Sequence, residues 1–349
     1  MAPIATPHEC HDKLVDSWSR IVRRRRWDSY IRVVSASVVL GLLSGAAPGQ
    51  TANGGQPAAT PDGPQRGPRL ILRADTTLVL IPVAVTDSLN RFVLGLQKDD
   101  FHLFEDGVEQ NVTHFSGEDA ALSVGLVFDE SGSMDYKLRT SRDAAAQFLG
   151  TMNADDETFL VEFSDTARLS VEFTAHTEEI RSALRTAQPG GLTAMLDAVN
   201  IALRNMKKAK NPRKAILIIS DGGDNHSHYT AAEIESLVRE ADVQIYAMGV
   251  FEPALPFRLT PAEVSGPRLL SEIATQTGGR AFAAAVTSDL PGVASRIAVE
   301  LRNQYVLAYS PKNQDRDGKY RHVEVKLSQP RGISPLKAHW RLGYYAPSQ

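Results

Sequence analysis

Residues 126–134 read Leu126-Val127-Phe128-Asp129-Glu130-Ser131-Gly132-Ser133-Met134. A short apolar strand runs straight into Asp129-x-Ser131-x-Ser133, so three oxygen-bearing side chains project from one tight turn at a strand's C-terminal end. Hard divalent cations take such donors, and open α/β sheets place ligands outside the carboxyl ends of their strands. Asp and Ser are also ordinary turn residues. The motif acquires meaning only through partners further along the chain.

Around this stretch the hydrophobic period alternates between strand and helix. A buried-type strand at 122–128 precedes a helix with Leu138, Ala145, Phe148, Leu149 and Met152 on one side. Paired strands follow at 158–163 and 167–173, then helices marked by Ile180, Ala183, Leu184 and Ala187 and by 194–209. A compact apolar strand covers 215–219. Thr230 and Glu233 form a capping box for a helix carrying Ile234, Leu237, Val238 and Ala241. A strand at 243–250, a helix at 267–277 closed by Gly278-Gly279, a short strand at 281–284 and a helix at 290–301 complete the segment. Strands alternating with helices predict a doubly wound, mainly parallel, Rossmann-like sheet with helices on both faces.

The flanks are β. A strongly apolar run at 77–85 contains Pro82, which favours an edge strand or a bulge. Residues 101–105, the Asp106-Gly107 turn and 108–115 carry a strong hairpin signal. After Asn303, strands are expected at 305–309, 320–327 and 338–345. Neither β piece is large enough to be stable alone, so the two are expected to pair into one small β-sandwich with the α/β domain inserted between them. The resulting division is 69–118 for the N-terminal part of the sandwich, 119–302 for the α/β domain and 303–349 for the C-terminal part.

The first 68 residues have another character. Arg23–Arg26 and Arg32 lead into an apolar run at 31–47 that ends in small residues, the pattern of a secretory signal. Residues 1–47 therefore read as a signal peptide or signal anchor, the structural alternative being a buried helix. Residues 48–68, rich in Gly, Pro, Ala and Gln, read as a disordered linker. An exported protein is expected, periplasmic, at the cell surface or secreted, with any membrane attachment confined to 31–47. The first 50 residues hold 7 Lys/Arg against 4 Asp/Glu, leaving 31 against 37 in the body, with no basic stripe for nucleic acid. The sole cysteine, Cys10, precedes the apolar run, so the folded part has no disulfide framework, zinc-cysteine site or cysteine nucleophile.

Two further oxygen clusters fall where a sheet-edge cation site needs them. Gly190-Gly191-Leu192-Thr193-Ala194 is a glycine-rich loop opening a helix. Ile216–Ile219 is an apolar strand running into Ser220-Asp221-Gly222-Gly223-Asp224-Asn225. If the strands ending at Phe128 and Ser220 are neighbours, Asp129, Ser131, Ser133, Thr193 and Asp221 surround one ion. The all-oxygen set suits Mg²⁺ first, with Ca²⁺ or Mn²⁺ as alternatives, and disfavours zinc. The bland reading keeps Thr193 as a helix cap and Asp221 as a turn residue. Glu130 is expected to face a ligand, to stand behind the site or to be a solvated turn residue, and Asp224 to support Asp221 or sit in the turn. His226 and His228 read as an exposed polar loop, with a transition-metal site as the alternative. Asn111-Val112-Thr113 and Asn225-His226-Ser227 match glycosylation acceptors, relevant only in a eukaryotic secretory route.

Over roughly 120–302 this pattern resembles the von Willebrand factor type A domain, and the five residues match its metal-ion-dependent adhesion site position by position. Flanking Asp100-Phe101, Glu105-Asp106-Gly107, Gln110 and Gly343-Tyr344-Tyr345-Ala346-Pro347 resemble a bacterial subgroup of exported proteins carrying that domain. The resemblance implies that the Ser131 and Ser133 hydroxyls bind the cation directly, Thr193 binds it in the ligand-competent state, and Asp129 and Asp221 hold its waters. It also implies a partner protein whose Glu or Asp carboxylate completes the shell; the terminal helix at 290–301 shifts with occupancy in some relatives, but ordinary core packing is the stronger expectation for it. A non-enzymatic binding or adhesion module is thus expected. The alternatives are a metal-dependent, phosphatase-like hydrolase and an envelope structural or assembly component. A phosphoaspartate mechanism of the haloacid-dehalogenase type would want a second Asp where Ser131 stands, and Ser131 has no His base nearby in sequence.

Overall fold

The computed structural model describes residues 78–117, 119–251, 260–284, 287–328 and 335–348. The leader, the linker, Cys10 and residues 69–77 lie outside the described residues. Four strands come first: β1 (Val79–Thr86), β2 (Phe101–Glu105), β3 (Val108–Gln110) and β4 (Val112–Ser116). The Asp106-Gly107 turn has φ of 47° and 79° at its two central residues. That left-handed pair matches the twist of the flanking strands. The hairpin it closes is shorter than expected, because the second strand breaks at Asn111. β3 stays with β2, whereas β4 crosses to another sheet.

The α/β segment follows as β5 (Leu122–Asp129), α1 (Leu138–Leu149), β6 (Glu157–Phe163), β7 (Ala167–Thr174), α2 (Thr177–Thr186), α3 (Met195–Met206), β8 (Arg213–Ser220), α4 (Ala231–Glu240), β9 (Gln244–Gly249), α5 (Pro261–Gln276), β10 (Ala281–Ala283) and α6 (Leu290–Arg302). Its sheet has the order β10-β9-β8-β5-β6-β7, parallel except for β7, which returns antiparallel on β6. All eight residues of β5 are buried, as a strand covered on both faces requires. Val124, Leu126 and Phe128 pack toward α1 and α6, and Val127 packs with Phe159, Val161 and α3 on the other face. The doubly wound expectation holds. α5 starts six residues earlier than its apolar pattern suggested. Thr260 and Glu263 form a full capping box there with Pro261 in the first turn, so Pro267 lies inside the helix rather than at its start.

After α6 the chain re-enters the flanking sheets through β11 (Tyr305–Tyr309), β12 (Tyr320–Leu327), β13 (Lys337–Trp340) and β14 (Gly343–Tyr345). The flanks form two four-stranded sheets, β13-β1-β11-β4 and β14-β12-β2-β3, sharing one core that includes Ile81, Val83, Leu103, Leu307 and Val325. The last expected strand is again two strands in different sheets. β1 is interior rather than an edge, but β13 pairs only with Val83–Thr86 and stops one residue short of Pro82, so the proline removes no bond to it.

One buried acid joins the two sheets. The Glu105 side chain on β2 is 2% exposed, and its Oε2 accepts the hydroxyls of Tyr309 on β11 and Tyr344 on β14, each at 2.7 Å. Burial, followed by the bond to Glu105, pushes both phenols well above the usual tyrosine range, so they remain donors. Oε1 has no partner among the described residues. Tyr309→Phe therefore leaves an acid with half its support, and should cost about 1–3 kcal/mol in urea denaturation. A midpoint unchanged from wild type would remove Glu105 from the account of how the sheets are joined.

Candidate metal centre

β5 ends on Asp129, which is fully buried. Its Oδ1 accepts the Ser131 N–H at 2.9 Å, and its Oδ2 accepts the Ser220 hydroxyl at 2.5 Å. A single carboxylate thus folds its own loop and clamps the end of the neighbouring strand β8. The Ser131 and Ser133 hydroxyls stand 3.2 Å apart. The Gly132 N–H donates to the Gly191 carbonyl at 3.1 Å, tying this loop to the glycine-rich loop. Thr193 in turn donates its N–H to Asn225 Oδ1 at 2.9 Å, and its carbonyl accepts the N–H groups of Asn225 and His226. Three loops are bound pairwise around one crevice at the C-terminal ends of β5 and β8.

Asp221 lies just past β8 and is 3% exposed. Its Oδ1 accepts the Gly223 N–H at 3.3 Å, a turn bond, while its Oδ2 receives the Lys137 ammonium at 3.0 Å. The loop is shaped by an interlocked glycine pair. Gly222 has φ of 78°, and a Cβ there would stand 2.6 Å from the Gly266 backbone on α5. Thr193 is not a helix cap, since the N-cap of α3 is Ala194, and the Thr193 hydroxyl makes no hydrogen bond among the described residues. Capping falls to Asp224, whose Oδ1 accepts the Leu196 N–H at 3.2 Å and the Ser227 hydroxyl at 2.6 Å. Asp224 supports the Thr193 loop rather than Asp221. Glu130 is no solvated turn residue: it is 5% exposed and pairs with Arg168 at 2.6 Å, whose other nitrogen reaches Glu162. His226 is exposed, and His228 pairs with Asp197 at 2.7 Å.

Residues 124–223 match the sequence profile of the von Willebrand factor type A domain. This part of the chain is a von Willebrand factor type A domain. A curated relative, an uncharacterized protein of Borreliella burgdorferi, is 25% identical over 181 residues, 46% of this chain and 53% of that protein. The chain thus spans about half the length of the curated relative it matches. Among solved structures, the likeness to the conserved hypothetical protein BatB of Bacteroides thetaiotaomicron has 18% identity and a TM-score of 0.42, covering 52% of this chain and 98% of that one. The vWF domain of the type V pili tip protein Mfa5 of Porphyromonas gingivalis gives 13% identity and 0.44, with 52% and 95% covered. A von Willebrand factor type A structure from Catenulispora acidiphila gives 14% and 0.45, with 73% and 76% covered.

Within the von Willebrand factor type A domain the two acids are short of positive charge. Burial, then the charge of Asp221, raises the Asp129 carboxyl to about 7, despite the bonds from Ser131 and Ser220 that favour its ionised form. A hard divalent cation beside both acids would relieve that penalty. Among the described residues no three His, Cys, Asp or Glu side chains converge, so hydroxyls must complete any shell. The free hydroxyl of Thr193 and the adjacent ones of Ser131 and Ser133 are of that kind. The residues fit an oxygen-bound Mg²⁺, Ca²⁺ or Mn²⁺.

Three participants have no part in the Asp-x-Ser-x-Ser motif. Ser220 and Asn225 are adjacent in sequence to the acidic loop, and only the strand pairing shows their bonds. Lys137 lies four residues beyond Ser133 and reads as a helix-surface lysine until the short 3₁₀ turn Gly132–Lys137 is seen to point it inward.

The raised carboxyl has a measurable consequence. Between about pH 4 and 7 the native protein binds more protons than the unfolded chain, so stability falls as pH rises across that window. With EDTA present, wild type should lose roughly 3–4 kcal/mol relative to Asp129→Asn over that range, and Mg²⁺ should flatten the difference. A stability gap independent of pH in urea titrations would contradict the assignment.

Proposed function

We propose that the protein is an exported, non-enzymatic, cation-dependent binding or adhesion module. Its von Willebrand factor type A domain would recognise a partner protein through a Glu or Asp side chain. The observation that carries this reading is the pair of buried acids, Asp129 and Asp221, set beside hydroxyls that are not committed to helix capping. When bound there, a divalent cation, Mg²⁺ first, supplies the positive charge that attracts an incoming carboxylate. Ser131, Ser133 and Thr193 supply hydroxyl oxygens, while Asp129 and Asp221 hold water and keep their loops in place. Tyr136 and Leu192, 61% and 47% exposed, sit in the first two of these loops. They offer apolar contact to the residues beside the partner's acid.

Support for binding rather than hydrolysis comes from the family and from the hydroxyl partners. The Ser131 hydroxyl meets Ser133, not a histidine, and His228 is engaged by Asp197. No activated nucleophile of the Ser–His kind stands in the crevice among the described residues. Export rests on the leader at 31–47, which lies outside the described residues. Among the described residues no helix is long and apolar enough to cross a membrane.

Calorimetry with Mg²⁺ and Mn²⁺ should show one site in wild type that is lost in Asp129→Ala. At a hundredfold excess over its dissociation constant the cation should add about 2.7 kcal/mol of stability. A pull-down from envelope extract should recover a partner that EDTA releases. Equal titrations of the two proteins would sink the cation site, and phosphatase activity lost in Asp129→Ala would establish the hydrolase instead.

A further inference from the structure

Lys137 ends the 3₁₀ turn that follows the serine loop and is the residue immediately before α1. Its side chain is 7% exposed and that of Asp221 is 4% exposed, with Nζ and Oδ2 3.0 Å apart. A buried ammonium costs several kcal/mol of desolvation unless it is paired, so this placement is not neutral. No other described lysine or arginine makes an ion pair with Asp129 or Asp221. Of the two adjacent buried acids, Asp221 therefore has an ammonium partner, and among the described residues Asp129 has only the bonds from Ser131 and Ser220. The Tyr136 ring, 5.5 Å from Nζ, flanks it on the solvent side of the turn.

We infer that Lys137 is the internal counter-cation of this site, and so sets how tightly the site takes a divalent ion. The inference rests on the cation-dependent reading above. Without the ion, the ammonium keeps Asp221 in position and offsets part of the repulsion between the acids. With the ion present, two positive groups share the same pair of carboxylates, so Lys137 weakens cation binding. Counting Asp129, Asp221, Lys137 and a divalent ion, the formal charge offered to a ligand is one unit positive rather than zero. The lysine exchanges cation affinity for attraction toward an anionic partner, and it also holds the ion-free loops closed.

The test uses the full chain with Mn²⁺ and Mg²⁺ as probes, in wild type, K137M, K137Q and K137R. Calorimetry should find K137M and K137Q binding roughly tenfold or more tightly than wild type, and K137R within about threefold, because only charge is being read. In EDTA the melting temperature of K137M should fall below wild type, and the gap should close as Mn²⁺ saturates the site. A purely structural lysine would leave that gap unchanged by Mn²⁺. Wild-type cation affinity in K137M and K137Q, with wild type titrating normally, would overturn the role of Lys137 and leave the cation site standing. So would an equal gain in K137R, which would assign the effect to packing. K137Q gives the same reading if K137M does not fold. If no variant binds either ion, the cation site and the counter-cation fall together.

Discussion

The rest of the site hangs on a carboxylate placed where it cannot be solvated. Asp129 ends a strand buried over its whole length, so the chain brings an acid to the inside of the sheet edge rather than to its surface. Everything nearby answers that charge. The Ser131 amide turns back to it, Ser220 reaches across from β8, and the 3₁₀ turn after the serine loop brings Lys137 to the neighbouring Asp221. Hydrogen bonds alone do not make the carboxyl comfortable, since burial and the second acid still dominate it. An arrangement so short of positive charge is a poor structural brace, and it is the ground on which a cation is proposed there.

Much of the fold was legible because the hydrophobic period changes cleanly. Apolar runs at 122–128 and 215–219 could only be covered strands, and the helical stripes between them fixed the layers. The motif residues of the candidate site were legible as a cluster for a related reason: oxygen side chains concentrate at the ends of β5 and β8, which the structure pairs as neighbours. What escaped the sequence depended on long-range pairing. The break at Asn111 and the division of the last strand reflect which sheet each half joins, and local pattern carries no record of that. α5 was misplaced because its first turn is set by Thr260 and Glu263, whose signal lies outside the apolar stripe.

The same distinction separates the ligand candidates from their supports. Asp224 and Glu130 looked alike as acids near a turn, yet one caps α3 and the other is neutralised by Arg168. Their roles follow from the directions of neighbouring amides and guanidinium groups. Lys137 was missed because a lysine beginning an apolar helix is normally solvated. Its burial goes with its place at the end of the 3₁₀ turn, where its ammonium meets Asp221.

The insertion of one domain within the other has a mechanical meaning. β4 leads out of the sandwich and β11 leads back into it, and the two are hydrogen-bonded neighbours, with Ser116 opposite Val306. The inserted domain is therefore held by two tethers about one strand spacing apart. Arg302, ion-paired to Asp119 and Asp156, staples the returning tether to the departing one at the base of the sheet. The crevice lies at the opposite ends of the same strands. β5 continues from the departing tether and α6 runs into the returning one, so the inserted domain is rooted at both of its ends.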